Sequence, residues 1–233
     1  MLFRSKGYVS SGLKALLSAV MPEEQPLKVS VSALSHRPVT EEDQTETPEK
    51  KRNVSRETME RHPRFMQEHE LTPAERGSAV HKALGLLPYS PLKGPDGLTE
   101  AHISALLDRL RDQERLTAQE RKAVRARDIL RFLTSDLGQR ALGSGNVRRE
   151  WPFALRAAPD AYLQGVIDLC FMENGAWILV DYKTDAVESA SVLADRYREQ
   201  LSWYRKALEE LTGIPVRETY LYSVRLGEWA AVD

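Results

Sequence analysis

Residues 165–185, GVIDLCFMENGAWILVDYKTD, constrain the fold more than any other stretch of the chain. Two apolar runs, 166–171 and 176–180, flank Asn174-Gly175. That dipeptide suits a two-residue type I′ hairpin turn, because both central positions need positive φ. With this turn Glu173 pairs with Ala176, and counting back places Asp168 opposite Asp181. Opposed residues share a face, with Cβ atoms roughly 4.5–5.5 Å apart. Alternation puts Lys183 on the face of Asp181 and Tyr182 on the other. Like charges opposed across strands are destabilising. Two carboxylates sharing a site drive one pKa upward unless a cation neutralises them. Hard divalent ions take oxygen ligands, and Mg²⁺ is commonly held by one or two carboxylates. A metal site explains the pattern better than an exposed hairpin face with a Lys–Asp ion pair, because both flanking runs ask for burial.

A chain of 233 residues can bury one good core and carry appendages. With 42% hydrophobic and 29% charged residues it reads as a soluble globular chain. No stretch approaches the roughly 20 apolar residues of a membrane span. The opening 1–20 has a basic start but no uninterrupted apolar region, so no signal peptide is expected. The single cysteine, Cys170, excludes an internal disulfide framework, a zinc cluster and a cysteine-held iron–sulfur cluster. It fits a reducing, cytoplasmic setting and reads as a small core residue. The net charge of −1 decides nothing about nucleic acid. Locally, 121–131 and 147–150 are basic and 41–50 is acidic. The basic runs could track phosphates, although such a run is more often a solvated helix face.

Organisation follows from periodicity and punctuation. Residues 36–56, rich in Thr, Glu, Pro and Lys, read as a linker after a short strand-like alternation at 27–35. The expected division is an N-terminal extension and flexible linker over 1–60 and a compact domain over 61–233, starting near Pro63. Thr72 with Glu75, and Pro73 between them, open a helix over 72–87. Its apolar stripe includes Ala79, Val80, Ala83, Leu84 and Leu87. SPLKGPDG is a loop. A second amphipathic helix covers 99–112, a third runs over 117–135 from a Thr117–Glu120 capping box, and a short helix falls around 136–142. Strands are expected near 147–156, 161–172 and 176–183, then a helix over 191–211 closed by Gly213 and Pro215. Strands near 216–224 and 228–232 end the chain. Helices, a meander, then helix and strand imply an α/β or α+β domain with a mixed central sheet. GYVSSGLK (7–14) has two glycines at P-loop spacing. Leu13 stands where the phosphate-binding lysine must follow, so no bound nucleotide is expected.

Four blocks in order, LTPAERGSAVHKAL, REWPF, GVIDL…ILVDYKTD and YREQLSWYRKALEELTG, resemble the RecB-like branch of the PD-(D/E)xK nuclease superfamily. Within it the chain is most similar to the C-terminal nuclease domains of AddA-type helicase/nucleases, over roughly residues 27–232. The resemblance implies an α/β fold with a restriction-endonuclease-like core, a mixed central β-sheet flanked by helices, and an additional N-terminal helical part. AddA-type proteins are much larger chains, so this sequence would be their nuclease portion without the helicase. Cas4-like and AddB-type nucleases share the core but carry a set of cysteines for an iron–sulfur cluster, which one cysteine cannot supply.

Position by position, the resemblance implies that Asp168 and Asp181 are metal ligands and that the Tyr182 main-chain carbonyl completes their set. It makes His81 a helix-borne ligand, Glu150 the acidic residue of an E-x-P-F block, and Lys183 the catalytic lysine. Gln200 and Tyr204 match a QxxxY block on one helix face and would support Lys183 or the DNA. Gly77 and Ser78 allow another backbone to approach the His81 helix. Tyr197 and Trp203 could stack bases, though burial is the commoner fate of such rings. His62 and His69 carry no expected role. The implied activity is Mg²⁺- or Mn²⁺-dependent hydrolysis of DNA phosphodiester bonds, single strands above all. The implied partners are a helicase, joined to this domain or separate from it, and an AddB-like protein, with no membrane. The alternatives are a non-catalytic DNA-binding module of the same fold and a stand-alone structure-specific endonuclease.

Overall fold

The computed structural model describes residues 27–31, 70–89, 92, 98–158 and 161–232. The opening 1–20, the linker expected over 36–56, the start near Pro63, most of the 90–97 loop, His62 and His69 lie outside them. The elements are β1 (Leu27–Ser30), α1 (Pro73–Leu86), α2 (Glu100–Asp112), α3 (Ala118–Ala123), α4 (Ala126–Thr134) and α5 (Asp136–Gly143). They continue with β2 (Val147–Ala158), β3 (Ala161–Glu173), β4 (Ala176–Lys183), α6 (Ala190–Thr212), β5 (Val216–Ser223) and β6 (Glu228–Ala231).

Local chemistry explains most boundaries. Thr72 and Thr117 both form capping boxes with the glutamate three residues on, which satisfies the first free amides of α1 and α3. Gly213 ends α6 in the left-handed region at φ 68°, where a Cβ would be strained. The single helix expected over 117–135 is two helices. Val124 and Arg125 are extended, with ψ of 116° and 122°. Val124 is buried in the helical core, and the Arg125 guanidinium reaches Asp128 at 2.6 Å. The break lets α4 turn Ile129, Phe132 and Leu133 inward, while α3 buries no side chain.

The six strands form one mixed sheet in the order β1-β3-β4-β5-β6, with β2 also paired to β3. β3 and β4 form the hairpin with Glu173 opposite Ala176 and Leu169 opposite Val180. The turn residues Asn174 and Gly175 have φ of 50° and 79°, as a type I′ turn requires. β4 and β5 run parallel, joined through α6. Helices α1, α2, α4 and α5 bury one face of the sheet around Leu107, Phe132, Leu169, Ile178 and Tyr182. On the other face α6 packs Leu201, Ala207 and Leu208 against Trp177, Leu179 and Leu221. Among the described residues no helix is long and apolar enough to cross a membrane.

β3 carries three partners on two edges. β2 occupies one edge from Ala161 to Phe171, with the pairing broken at Asp168. The other edge is therefore shared between β1, at Ala161–Gln164, and β4, at Leu169–Glu173. The four positions between, Gly165 to Asp168, have no ladder partner on that edge among the described residues.

At the far end of the hairpin Arg140 bridges Glu173 at 2.8 Å and Glu218 at 2.6 Å, with Phe171 and Tyr220 each 5.9 Å from its guanidinium. Arg140 holds both carboxyls below their ordinary value, directly for Glu173 and against burial for Glu218. Depressed carboxylates stabilise the fold above their unfolded pKa and lose that contribution as pH falls. Arg140→Ala is expected to cost about 1 kcal/mol at neutral pH, as a partly exposed ion-pair network allows. That deficit should shrink below about pH 4, which urea denaturation across pH will check.

Candidate metal centre and nuclease site

The site occupies the gap on β3. A cleft of about 1150 Å³ opens there, lined by Ser30 at the end of β1, by Gly165, Val166 and Asp168, and by residues of α1, β2, β4 and α6. Val166 is 39% exposed at its mouth. The alternation of β2 and β3 slips at this level. Leu169 packs into the helical core, yet Ile167, two residues away, packs with α6; Val147 and Trp151 divide in the same way. The slip coincides with Glu150, which stands between the pairs Arg149–Leu169 and Trp151–Ile167 with φ of 47°. A left-handed glutamate inside a strand is strained, and such strain concentrates at functional sites.

Three side chains converge from three elements. His81 of α1, Glu150 of β2 and Asp168 of β3 each offer a ligand atom, and those atoms lie within 4.8 Å of one another. His81 Nδ1 is 3.1 Å from Asp168 Oδ1, and the Tyr182 amide donates to Asp168 Oδ2 at 2.8 Å. Glu150 Oε1 is buried and has no hydrogen-bond partner among the described residues. A buried carboxylate oxygen without a partner is costly unless a cation or solvent completes it.

Asp181 and Lys183 form the second half. Asp181 is 1% exposed, and its Oδ2 lies 2.6 Å from Lys183 Nζ. Gln200 of α6 donates to Asp181 Oδ1 at 3.4 Å and to the Tyr204 hydroxyl at 2.9 Å, so the QxxxY pair reaches the site through Asp181. Lys183 Nζ also sits 4.3 Å from the centre of the Tyr197 ring, a cation–π contact. Trp203 is buried, with Lys206 Nζ 5.0 Å from its ring, and does not line the cleft. The Lys183 carbonyl accepts from Val224 of the β5 side at 2.9 Å. The Tyr182 amide faces β3, and in an extended strand the amide and carbonyl of one residue face the same neighbour. The Tyr182 carbonyl is thereby aimed toward the gap, while its ring turns into the helical core.

The charges are strongly coupled. Burial works against the His81 imidazolium, but Asp168, with Asp181 beyond it, raises its pKa to about 9. Burial would raise Asp168, yet His81 holds it below the ordinary carboxylate value. Burial pushes Asp181 up to about 6 against the pull of Lys183, with Asp168 adding to the rise. Burial and the charge of Asp168 bring Glu150 up to about 6. Burial opposes the Lys183 ammonium, but Asp181 and Asp168 outweigh it and hold its pKa above the ordinary lysine value. Three carboxylates in one cleft cannot all ionise comfortably without added positive charge.

Of the residues expected at the site, His81, Glu150, Asp168, Asp181, Lys183, Gln200 and Tyr204 line one cleft, whereas Tyr182 is not among its lining residues. What pattern reading missed is the way room is made. A Cβ on Gly85 would collide with Cγ of Glu150, and one on Gly77 would fall 2.7 Å from Thr184 Oγ1. The signal was available: Gly85 follows His81 by four residues, on one helix face. Gly85→Ala gains up to about 1 kcal/mol of helix propensity while displacing Glu150. The expected result is an unchanged or higher melting temperature with about 10–100-fold weaker Mn²⁺ binding, as disturbed metal-site geometry gives; calorimetry on one sample reads both.

A mixed sheet with a carboxylate-rich gap beside a buried lysine defines a class. The chain belongs to the PD-(D/E)XK nuclease superfamily, whose family model matches residues 52–229. Among curated relatives, an ATP-dependent helicase/nuclease subunit of Geobacillus kaustophilus (strain HTA426) is 38% identical over 193 residues, covering 73% of this chain and 15% of its own. The counterpart of the same name from Desulforamulus reducens is 35% identical over 181 residues, 71% of this chain and 14% of its own. That of Clostridium botulinum (strain Loch Maree / Type A3) is 30% identical over 225 residues, 89% of this chain and 17% of its own. The chain thus spans about one-sixth of the length of such relatives.

Proposed function

We propose that this chain is a divalent-metal-dependent deoxyribonuclease module that hydrolyses phosphodiester bonds in single strands delivered by a helicase during double-strand-break repair. The observation that carries the chemistry is the convergence of His81, Glu150 and Asp168, with an unpartnered Glu150 oxygen, beside the Asp181–Lys183 pair. The donor set fits Mg²⁺ or Mn²⁺: carboxylate oxygens, a main-chain carbonyl and one imidazole that Mn²⁺ tolerates well. Asp168, Asp181, His81, Glu150 and the Tyr182 carbonyl are the candidate ligands. When bound, such an ion neutralises charge on phosphoryl oxygens and makes water more acidic. The protein's own contribution is positional. Lys183, held 2.6 Å from Asp181, serves to orient the attacking water and to donate a hydrogen bond to the phosphoryl group. Gln200 and Tyr204 fix the orientation of Asp181, and Tyr197 walls Lys183 from α6. The helicase delivering the strand is read from the relatives' names, and an AddB-like partner protein and a cytoplasmic setting go with that reading.

The test is direct. The purified chain, given end-labelled single-stranded DNA, should release shortened products with Mg²⁺ or Mn²⁺ and none with EDTA. Products that form equally in EDTA, or no products with either ion, would remove this reading.

A further inference from the structure

We propose that a second, basic cleft behind the metal centre is the track on which the DNA backbone lies as it enters or leaves the site. The proposal rests on the nuclease reading above. This cleft, about 790 Å³, is bounded by α1, α3, α4 and the end of β5. Its lining carries Arg76, Lys122, Arg125, Arg127, Arg131 and Arg225 against a single carboxylate, Asp128. Asp128 is buried and already neutralised, with Arg125 at 2.6 Å and Arg131 at 2.9 Å. Arg76, Lys122 and Arg225 are exposed, and their side chains have no ion-pair partner among the described residues. The cleft therefore presents a concentration of positive charge that no further carboxylate among the described residues neutralises, on a chain whose overall charge is −1.

The two clefts are contiguous. Gly77 and Thr184 line both. They form the saddle between them, and Gly77 keeps it low because a side chain there would meet the Thr184 hydroxyl. His81 lies one helical turn beyond Gly77, and Lys183 directly precedes Thr184. A strand whose scissile phosphate sits at His81, Asp168 and Lys183 can thus run across the saddle and continue along the arginines. The cations come from four separate elements and line one concavity, whereas a merely solvated helix face would spread them along one helix. Backbone contact by scattered cations is sequence-independent and salt-sensitive, which suits a strand fed through without base recognition.

The experiment compares the wild type, Arg76→Ala/Lys122→Ala/Arg225→Ala and a charge-matched control, Arg109→Ala/Arg115→Ala/Lys206→Ala, whose residues are exposed and line neither cleft. Labelled single-stranded DNA is titrated across salt, and cleavage kinetics are measured with Mn²⁺. The groove variant should bind about tenfold or more weakly. Its log–log salt slope should be shallower by about 2, from three lost contacts at roughly 0.7 each. Its KM should rise with kcat unchanged, while the control stays close to wild type. Wild type that cleaves, with a groove variant indistinguishable from the control, overturns the track and leaves the nuclease standing. DNA binding lost in the groove variant, from a wild type that does not cleave, keeps the track and removes the nuclease reading. Wild type that neither binds nor cleaves single strands overturns both.

Discussion

Asp168→Asn is expected to abolish metal-dependent strand cleavage, by a factor of about 10³ or more, while the protein stays folded. Asp168 links the two halves of the site. It sits with His81 and Glu150 in the ligand cluster, and its charge is felt by Asp181 and Lys183. The amide is isosteric and its oxygen can still accept from the Tyr182 amide, so the backbone join between β3 and β4 survives. What disappears is the negative charge. Several kcal/mol of charge stabilisation is the usual contribution of a bound metal ion, and about 4 kcal/mol corresponds to a factor of about 10³ in rate. Mn²⁺ titration by calorimetry and single-strand cleavage on the same preparation check both parts. A variant that binds Mn²⁺ and cuts as well as wild type would show that the metal centre lies elsewhere.

Phe132→Ala should produce the largest loss of stability. Phe132 is fully buried in α4 and meets two tyrosine rings edge-on, Tyr182 at 5.0 Å and Tyr222 at 4.9 Å between centroids. Those tyrosines are the core-facing residues of the parallel pair β4–β5, directly beneath the strand end that carries Asp181 and Lys183. Truncating a buried phenylalanine costs about 3–5 kcal/mol, from lost transfer energy and from the cavity left behind. For a domain of this size that is a fall in melting temperature of roughly 6–20 °C. Phe132→Leu, which keeps most of the volume, should cost less than about 1.5 kcal/mol. Equal losses for the two variants, read by thermal denaturation, would mean that the ring contacts and not the filled volume hold α4 on the sheet.

Much of this was legible in the chain itself. The Asn174-Gly175 turn set the register of β3 and β4 because the side-chain period of a strand is 2 and a slip would have exposed Phe171 and Ile178. The capping boxes at Thr72 and Thr117 set two helix starts because their hydrogen bonds are local. The break at Val124–Arg125 was not legible. It depends on Val124 finding the helical core, a contact made only once the helices have docked. The positive φ of Glu150 was equally hidden, since nothing in REWPF asks for a glutamate in a glycine-like conformation. Its neighbours Gly85, His81 and Asp168 come from other elements and meet it only in the fold. The basic run at 121–131 was visible as charge, but its partners Arg76 and Arg225 come from far along the chain, so the groove exists only in the fold.

The unpaired stretch of β3 has a thermodynamic consequence. Ladders on either side hold its ends, β1 before Gly165 and β4 from Leu169 onward, while β2 backs it on the other edge on both sides of Glu150. The donors at Glu150 and Asp168 are thus anchored to a rigid frame instead of a loop. On the proposed reading, an incoming ion would find these candidate ligands already in place and would not have to order a loop to bind. The entropy of arranging them was spent when the sheet formed.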